Sequence, residues 1–221
     1  MPDANSKPIF NRKNPLLAKR KSSLLLTEGC ENKDTWHLEI SLNGSGMEFT
    51  PGDSLAVLPQ NNPQHVNELI STLGFTGEET VLTPAKEEAP LRKALTENYV
   101  ISTPDKKLLR AISEKSGNTE WQHLLEAEKK TELNDYLWGR EIIDLLLAHP
   151  SVSFQPAEFV TLLKKLNVRL YSVASSVAYQ PDEVHLTVAV VEYESFGRQR
   201  QGVCSSWLAE RIDDDTPIPC F

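Results

Sequence analysis

Hydrophobic residues alternate with polar ones towards both ends of the chain and recur at three- and four-residue intervals through its middle. That change of period predicts strands on either side of a block of helices. Ser22–Leu26, Trp36–Leu42 and Ser54–Leu58 read as strands before the block, and Val168–Ser175 and Val184–Tyr193 after it. In the last of these, Val184, Leu186, Val188 and Val190 share one face while His185, Thr187, Ala189 and Val191 share the other. Residues 177–182 supply the turn between the last two strands, and Ser195-Phe196-Gly197 reverses the chain after them. Gly202 then leads into Ser205–Arg211, read as a helix with Ser205 as its N-cap.

Within the block, Asn62-Pro63 opens a helix whose Val66, Leu69, Ile70 and Leu73 follow the i, i+3, i+4, i+7 pattern, and Gly74 closes it. Thr103-Pro104 opens another, with Leu108, Leu109 and Ile112 inside and Gly117 at its end. Trp121–Leu137, Glu141–Ala148 and Pro156–Leu166 continue the helical run. The fold class expected is an antiparallel β-barrel plus α, with an all-helical segment inserted into the barrel.

Composition narrows the function classes. At 221 residues and 39% hydrophobic content, the chain can hold one large domain or a domain with an insertion. A net charge of −8 argues against nucleic acid as partner. Arg12, Lys13, Lys19, Arg20 and Lys21 form a local basic cluster, read as strand-edge protection, with a partner-docking patch as the alternative. The polar start Met1–Ser6 and the lack of any 18-residue apolar run predict a soluble, cytoplasmic protein without membrane contact. Cys30, Cys204 and Cys220 have no metal-type spacing, so reduced thiols are expected. His37, His65, His123, His149 and His185 are scattered, which predicts surface or capping roles, no metal site and no catalytic triad.

The chemistry concentrates near the end. Arg169 is a permanent cation whose planar fork matches phosphate oxygens, and Tyr171, two residues on in a strand, leaves the same face. Ser172 adds a small hydroxyl, and a helix start opened by Gly202 presents N–H groups to an anion. Taken singly, Arg-x-Tyr is usually a solvated edge pair, Gly-x-x-Ser a plain cap, and a tyrosine such as Tyr193 a rim residue. Their order and spacing together point to a site for an extended dinucleotide with a flat ring, a flavin.

The runs Arg169–Ser176, Thr187–Tyr193 and Gly202–Leu208 resemble the FAD-binding module of the diflavin reductases. That family includes cytochrome P-450 reductase, the reductase region of nitric oxide synthase and the flavoprotein subunit of assimilatory sulfite reductase. Arg12–Pro15, Trp36–Ile40, Gly44–Met47 and Pro51–Leu55 are most similar to the sulfite reductase branch. The resemblance implies that Arg169 and Ser205 bind the FAD pyrophosphate, that Tyr171 stacks on the isoalloxazine, and that Ser172 sits by its reactive nitrogen as the catalytic residue. Leu170 belongs to the same cofactor-binding run. Thr187, Val188 and Ala189 with Gly202, Val203 and Cys204 would offer backbone groups, Tyr193 would shield the adenine or ribitol, and Ser102 falls where the family often has a threonine near the cofactor.

It further implies an N-terminal arm over 1–12, a Greek-key FAD-binding barrel in two parts, 13–61 and 167–221, and a helical connecting insertion over 62–166. FAD and NADPH are the implied cofactors, with the NADPH site in a domain beyond Phe221, so these residues alone should be inactive with NADPH. Ile218–Phe221 looks like the start of a late barrel strand. The implied partners are an FMN domain or flavodoxin-like electron acceptor and a sulfite reductase haemoprotein subunit. Two other classes stay open: a flavin-free barrel acting as a partner-binding module, and a flavodoxin or ferredoxin reductase outside the diflavin group, which would lack the segment 62–166.

Overall fold

A computed structural model describes residues 10–30 and 33–221. The expected arm over 1–12 therefore lies outside the described residues as far as residue 9. The chain divides into two compact units: Met1–Gln60 with Asn167–Tyr193 and Arg200–Phe221, and Asn61–Leu166 with Glu194–Gln199.

The first unit is built on strands β1 (Leu16–Ala18), β2 (Arg20–Leu25), β3 (Thr35–Ser41) and β4 (Ser54–Val57). The second unit supplies the short hairpin β5 (Thr80–Leu82) and β6 (Glu88–Pro90). Back in the first come β7 (Arg169–Ser172), β8 (Glu183–Ala189), β9 (Glu192–Ser195), β10 (Arg198–Gln201) and β11 (Ile218–Cys220), the tip of the β9–β10 hairpin grouping with the second unit. The first unit's strands pair antiparallel in the orders β1-β11-β4-β7 and β2-β3-β8. An isolated bridge, Val173↔Leu186, carries the chain leaving β7 onto the edge of β8.

Register decides which side chains are buried. β3 and β8 oppose Leu38 to Leu186 and Ile40 to Val184 on the inner face, and all four are core residues. Glu39↔His185 and Ser41↔Glu183 fall on the other face, as period-two alternation requires. Leu55 and Val57 of β4, Ile218 and Cys220 of β11, and Trp207 and Leu208 join the same cluster.

The second unit carries α1 (Pro63–Thr72), α2 (Leu91–Glu97), α3 (Lys106–Ser116), α4 (Thr119–Leu124), α5 (Lys130–Leu137), α6 (Ile142–Leu147) and α7 (Pro156–Thr161). α1 starts as its sequence requires: Asn62 accepts from the Gln64 N–H, and Pro63 needs no partner at N1. Val66, Leu69, Leu109, Ile112 and Phe159 belong to its buried core. The remaining helix, α8 (Val203–Ser206), continues through a π turn, Trp207–Arg211, in the first unit. Among the described residues no helix is long and apolar enough to cross a membrane.

Several expected boundaries shift. The helix expected from Thr103 begins at Lys106, where Asp105 accepts from Lys107 N–H. Trp121–Leu137 is broken into α4, a 3₁₀ turn at Ala127–Lys129 and α5, and Pro156–Leu166 stops at Thr161. Val168–Ser175 is a ladder strand only over β7, because Val173 N–H turns to the Asp53 carbonyl and Ala174 N–H to that of His185. Val184–Tyr193 divides after Ala189, where Val190 N–H turns to the Asp34 carbonyl. Lys19, Arg20 and Lys21 of the basic cluster are ion-paired with Asp215, Asp214 and Glu183, and β2 is an edge strand.

Candidate functional site

β7 lies antiparallel to β4, with Arg169 opposite Val57 and Tyr171 opposite Leu55. Directly opposed residues share a face, so Arg169 and Tyr171 stand on the side of the sheet that carries buried Val57 and Leu55. Leu170 and Ser172 take the other side and are exposed. Tyr171 is half-buried, and its hydroxyl meets the thiol of Cys204 on α8. Burial pushes the Tyr171 phenol far above its ordinary value. Burial likewise pushes the Cys204 thiol up to about 11, against the opposing pull of Tyr171, Arg169 and Arg211. β7 and α8, more than 30 residues apart in the chain, thus meet at a phenol–thiol contact beside two cations.

The start of α8 differs from expectation. Gly202 is the N-cap, and Ser205 lies inside the helix. Ser205 is buried, and its Oγ accepts from Val191 N–H at 3.2 Å. Gly202 donates to the Val191 carbonyl at 2.8 Å. A Cβ on Gly202 would stand 2.6 Å from Ser205 Oγ and 2.8 Å from Val191 Cβ, so close packing within the fold explains the glycine. Ser206 back-bonds through its hydroxyl to the Gly202 carbonyl at 2.6 Å.

Arg211, at the end of the π turn, was not among the expected site residues. Its Nη2 donates to the carbonyl of Val203 at 2.8 Å and reaches Gln60 O and Ser206 Oγ at 3.3 Å. Its Nε and Nη1 are buried without a hydrogen-bond partner, and burial lowers the guanidinium from its ordinary value. No local pattern marks it, since its partners lie at Val203 and Gln60.

Thr187 and Ala189 are exposed while Val188 is in the core. The outer edge of β8 is met at His185 and Leu186 by Ala174 and Val173, and beyond Leu186 no strand pairs there among the described residues. Tyr193 is exposed. Ser102 lies in the second unit, its carbonyl accepting from Ile142 N–H at 2.9 Å. A cavity of about 170 Å³ opens near Ser54 and Leu55, lined also by Leu42, Phe49, Val173 and Phe221. None of the expected site residues lines it.

The scattered histidines are not all scattered in space. His37 and His185, expected at surface or capping positions, come together with Glu39 across β3 and β8, and His185 is buried. Their pairing depends on strand register between segments nearly 150 residues apart, which periodicity does not reveal.

Residues 8–207 match the family model described as FAD binding domain. The chain is 39% identical over 213 residues to the sulfite reductase [NADPH] flavoprotein alpha-component of Bacillus subtilis, covering 96% of this chain and 35% of that protein. It is 36% identical over 212 residues to the corresponding component of Vibrio cholerae, with 96% and 34% covered. To that of Zymomonas mobilis it is 33% identical over 219 residues, with 99% and 36% covered. The chain spans about a third of the length of these curated relatives.

Proposed function

The chain belongs to the FAD binding domain family, and from that premise we propose that it is the FAD-holding module of an NADPH-dependent diflavin reductase of the sulfite reductase flavoprotein kind. The observation that carries the reading is the meeting of β7 and α8, which puts Arg169, Tyr171 and Arg211 around Cys204 at a helix start. Such a donor set fits FAD. Arg169 is exposed, Arg211 holds two buried nitrogens without partners, and the first N–H groups of α8 point out of the helix. Two cations and a helix start suit a pyrophosphate better than the single phosphate of FMN.

In this reading Arg169 grips the pyrophosphate together with the backbone N–H groups of Val203, Cys204 and Ser205, while Gly202, its own N–H spent on the Val191 carbonyl, only opens the helix start. The half-exposed ring of Tyr171 stacks against the isoalloxazine, which lies across the free edge of β7, the last strand of its sheet, where Ser172 offers its hydroxyl from the other side to the reactive nitrogen. Thr187, Val188 and Ala189 contribute the open edge of β8, and Leu170 and Tyr193 cover exposed parts of the cofactor. FAD bound here would supply hydride acceptance from NADPH and electron release to an FMN domain or flavodoxin-like acceptor, with a haemoprotein subunit as recipient in the whole reductase. The protein's own residues hold the phosphates, orient the ring and keep a hydroxyl at Ser172.

We also read residues 13–61 and 167–221 as a closed Greek-key barrel and 62–166 as its helical connecting insertion. The antiparallel sheets, the Val173↔Leu186 bridge between them and the division into two units support this reading. A cytoplasmic setting suits three free thiols. The test is equilibrium titration of the purified protein with FAD and with FMN, followed by absorbance and fluorescence. FAD should bind at least about tenfold more tightly, one charge-assisted contact being worth that much or more. Equal or tighter FMN binding removes the pyrophosphate role, and no binding of either favours the flavin-free partner-binding module.

A further inference from the structure

We infer that His37, Glu39 and His185 form a transition-metal site on the outward face of β3 and β8. The register makes the site: Glu39 stands directly opposite His185, and His37 is two residues along the same strand. Leu38, Ile40, Val184 and Leu186 alternate with them and point into the core, so the three ligands share the opposite face. One ligand atom from each of the three lies within 4.8 Å of the others. His37 Nε2 is 3.8 Å from Glu39 Oε1, and the two imidazoles meet edge to face with centroids 4.9 Å apart.

Bonds of about 2.0–2.2 Å from zinc to nitrogen and oxygen hold tetrahedral ligands about 3.3–3.5 Å apart. The cluster is wider than that by roughly an ångström, a gap that small side-chain rotations close. Two imidazoles and one carboxylate select zinc and its neighbours over calcium or magnesium, which prefer all-oxygen sets. They also leave the fourth tetrahedral position for water.

Two further observations make this a built cluster. His185 is only 7% exposed although its strand turns it away from the core. Its Nε2 lies 3.1 Å from Glu183 Oε1, and the other oxygen of Glu183 is held by Lys21. A carboxylate fixing the ring of a ligating histidine is the usual outer support of an imidazole–metal bond. The two carboxylates outnumber the single lysine, so the local charge favours a cation.

The experiment uses tag-free protein stripped with a chelator and titrated with Zn²⁺ against a chromophoric indicator, with Co²⁺ as a spectroscopic probe of the ligand set. One equivalent should bind, and Co²⁺ should give visible bands of a four-coordinate nitrogen–oxygen site. His37 and Glu39 are only partly buried, so His37→Gln and Glu39→Gln should retain the fold, which circular dichroism checks. Each should weaken Zn²⁺ binding on the order of tenfold or more, whereas His123→Gln, an exposed histidine elsewhere, should not. The inference is overturned by the absence of saturable binding, by unchanged affinity in both His37→Gln and Glu39→Gln, or by loss of the bound equivalent in His123→Gln.

Discussion

Replacing Gly202 by alanine asks whether the bare Cα serves the fold or an incoming ligand. The backbone is no obstacle, since φ is −68° and any L residue accepts that value. The obstacle is steric: the new methyl would lie 2.6 Å from Ser205 Oγ and 2.8 Å from Val191 Cβ, where unstrained carbon contacts sit at about 3.5–4.0 Å. Ser205 can swing its hydroxyl away, at the cost of the bond from Val191 N–H, about 1 kcal/mol. Val191 Cβ has no such freedom, because it is part of the backbone framework and its carbonyl is tied to Gly202 N–H. The start of α8 must therefore move. Overpacking of this kind costs about 1–3 kcal/mol, and in a chain of this length each kcal/mol lowers the Tm by roughly 2–4 °C. A fall of about 2–12 °C is expected in flavin-free protein, read by calorimetry. Adding Ser205→Ala removes one of the two contacts and should restore less than half of the loss. If flavin-free Gly202→Ala melts with the wild type while FAD binding drops, the glycine serves the ligand and the steric reasoning is wrong.

Arg169→Ala should weaken FAD binding by about 1.5–3 kcal/mol, with lysine restoring only part, and equal flavin content in the alanine variant rejects the role. Tyr171→Ala should lower flavin occupancy and raise flavin fluorescence, while Tyr171→Phe changes little; a phenylalanine variant as impaired as alanine would show that the hydroxyl contact to Cys204 holds the site. Burial pushes Cys204 up to about 11 and Cys220 up to about 12, so at pH 8 neither offers much thiolate, whereas Cys30 is exposed. An aromatic disulfide reagent should therefore titrate Cys30 quickly in native protein and all three thiols only after denaturation, and three fast thiols in the native state contradict the burial. Lys21 first, then His185, holds Glu183 below its usual value of 4.5, so its contribution to stability is complete above that value and lost as pH falls through the lowered one. With chelator present, the urea midpoints of wild type and Glu183→Gln should differ most at neutral pH and converge in acid, and a constant difference refutes the ion-pair account.

What was legible in the sequence was what is local. Asn62-Pro63 and Gly74 bound α1, and Gly117, at a φ of 70°, closes α3, because caps and positive-φ positions are chosen by residues within a turn of the helix end. The alternation in Trp36–Leu42 sets the inner face of β3 in the same way. The strand β10 has the sequence Arg198-Gln199-Arg200-Gln201, with no apolar residue to signal it. It forms because Phe196 and Gly197, both at positive φ, turn the chain back on β9. The helix α2 was hidden by its length, seven residues, too short to show a period. At the candidate site, Arg169–Ser172 and Gly202–Ser205 stood out as motifs, but their meeting at Tyr171 and Cys204, the place of Arg211 and the burial of His185 all depend on distant segments.

Those distant ties divide the labour within the motif. Gly202, Ser205 and Ser206 use their side positions to fasten α8: the first by close approach to Val191, the second by accepting its N–H, the third by bonding back to Gly202. Cys204 of the same helix belongs to the core cluster against which the Tyr171 ring packs. None of these contacts consumes the exposed guanidinium of Arg169, the exposed Ser172 or the outer edge of β8 past Leu186. The groups free to meet a ligand are thus a different set from those that hold the scaffold, and a donor array fixed before binding loses less entropy when it binds. Substitutions among the residues that fasten α8 should therefore lower stability and affinity together, whereas Arg169→Ala should lower affinity with the Tm of the flavin-free protein unchanged. A Tm for flavin-free Arg169→Ala that falls as far as that of Gly202→Ala would erase the distinction.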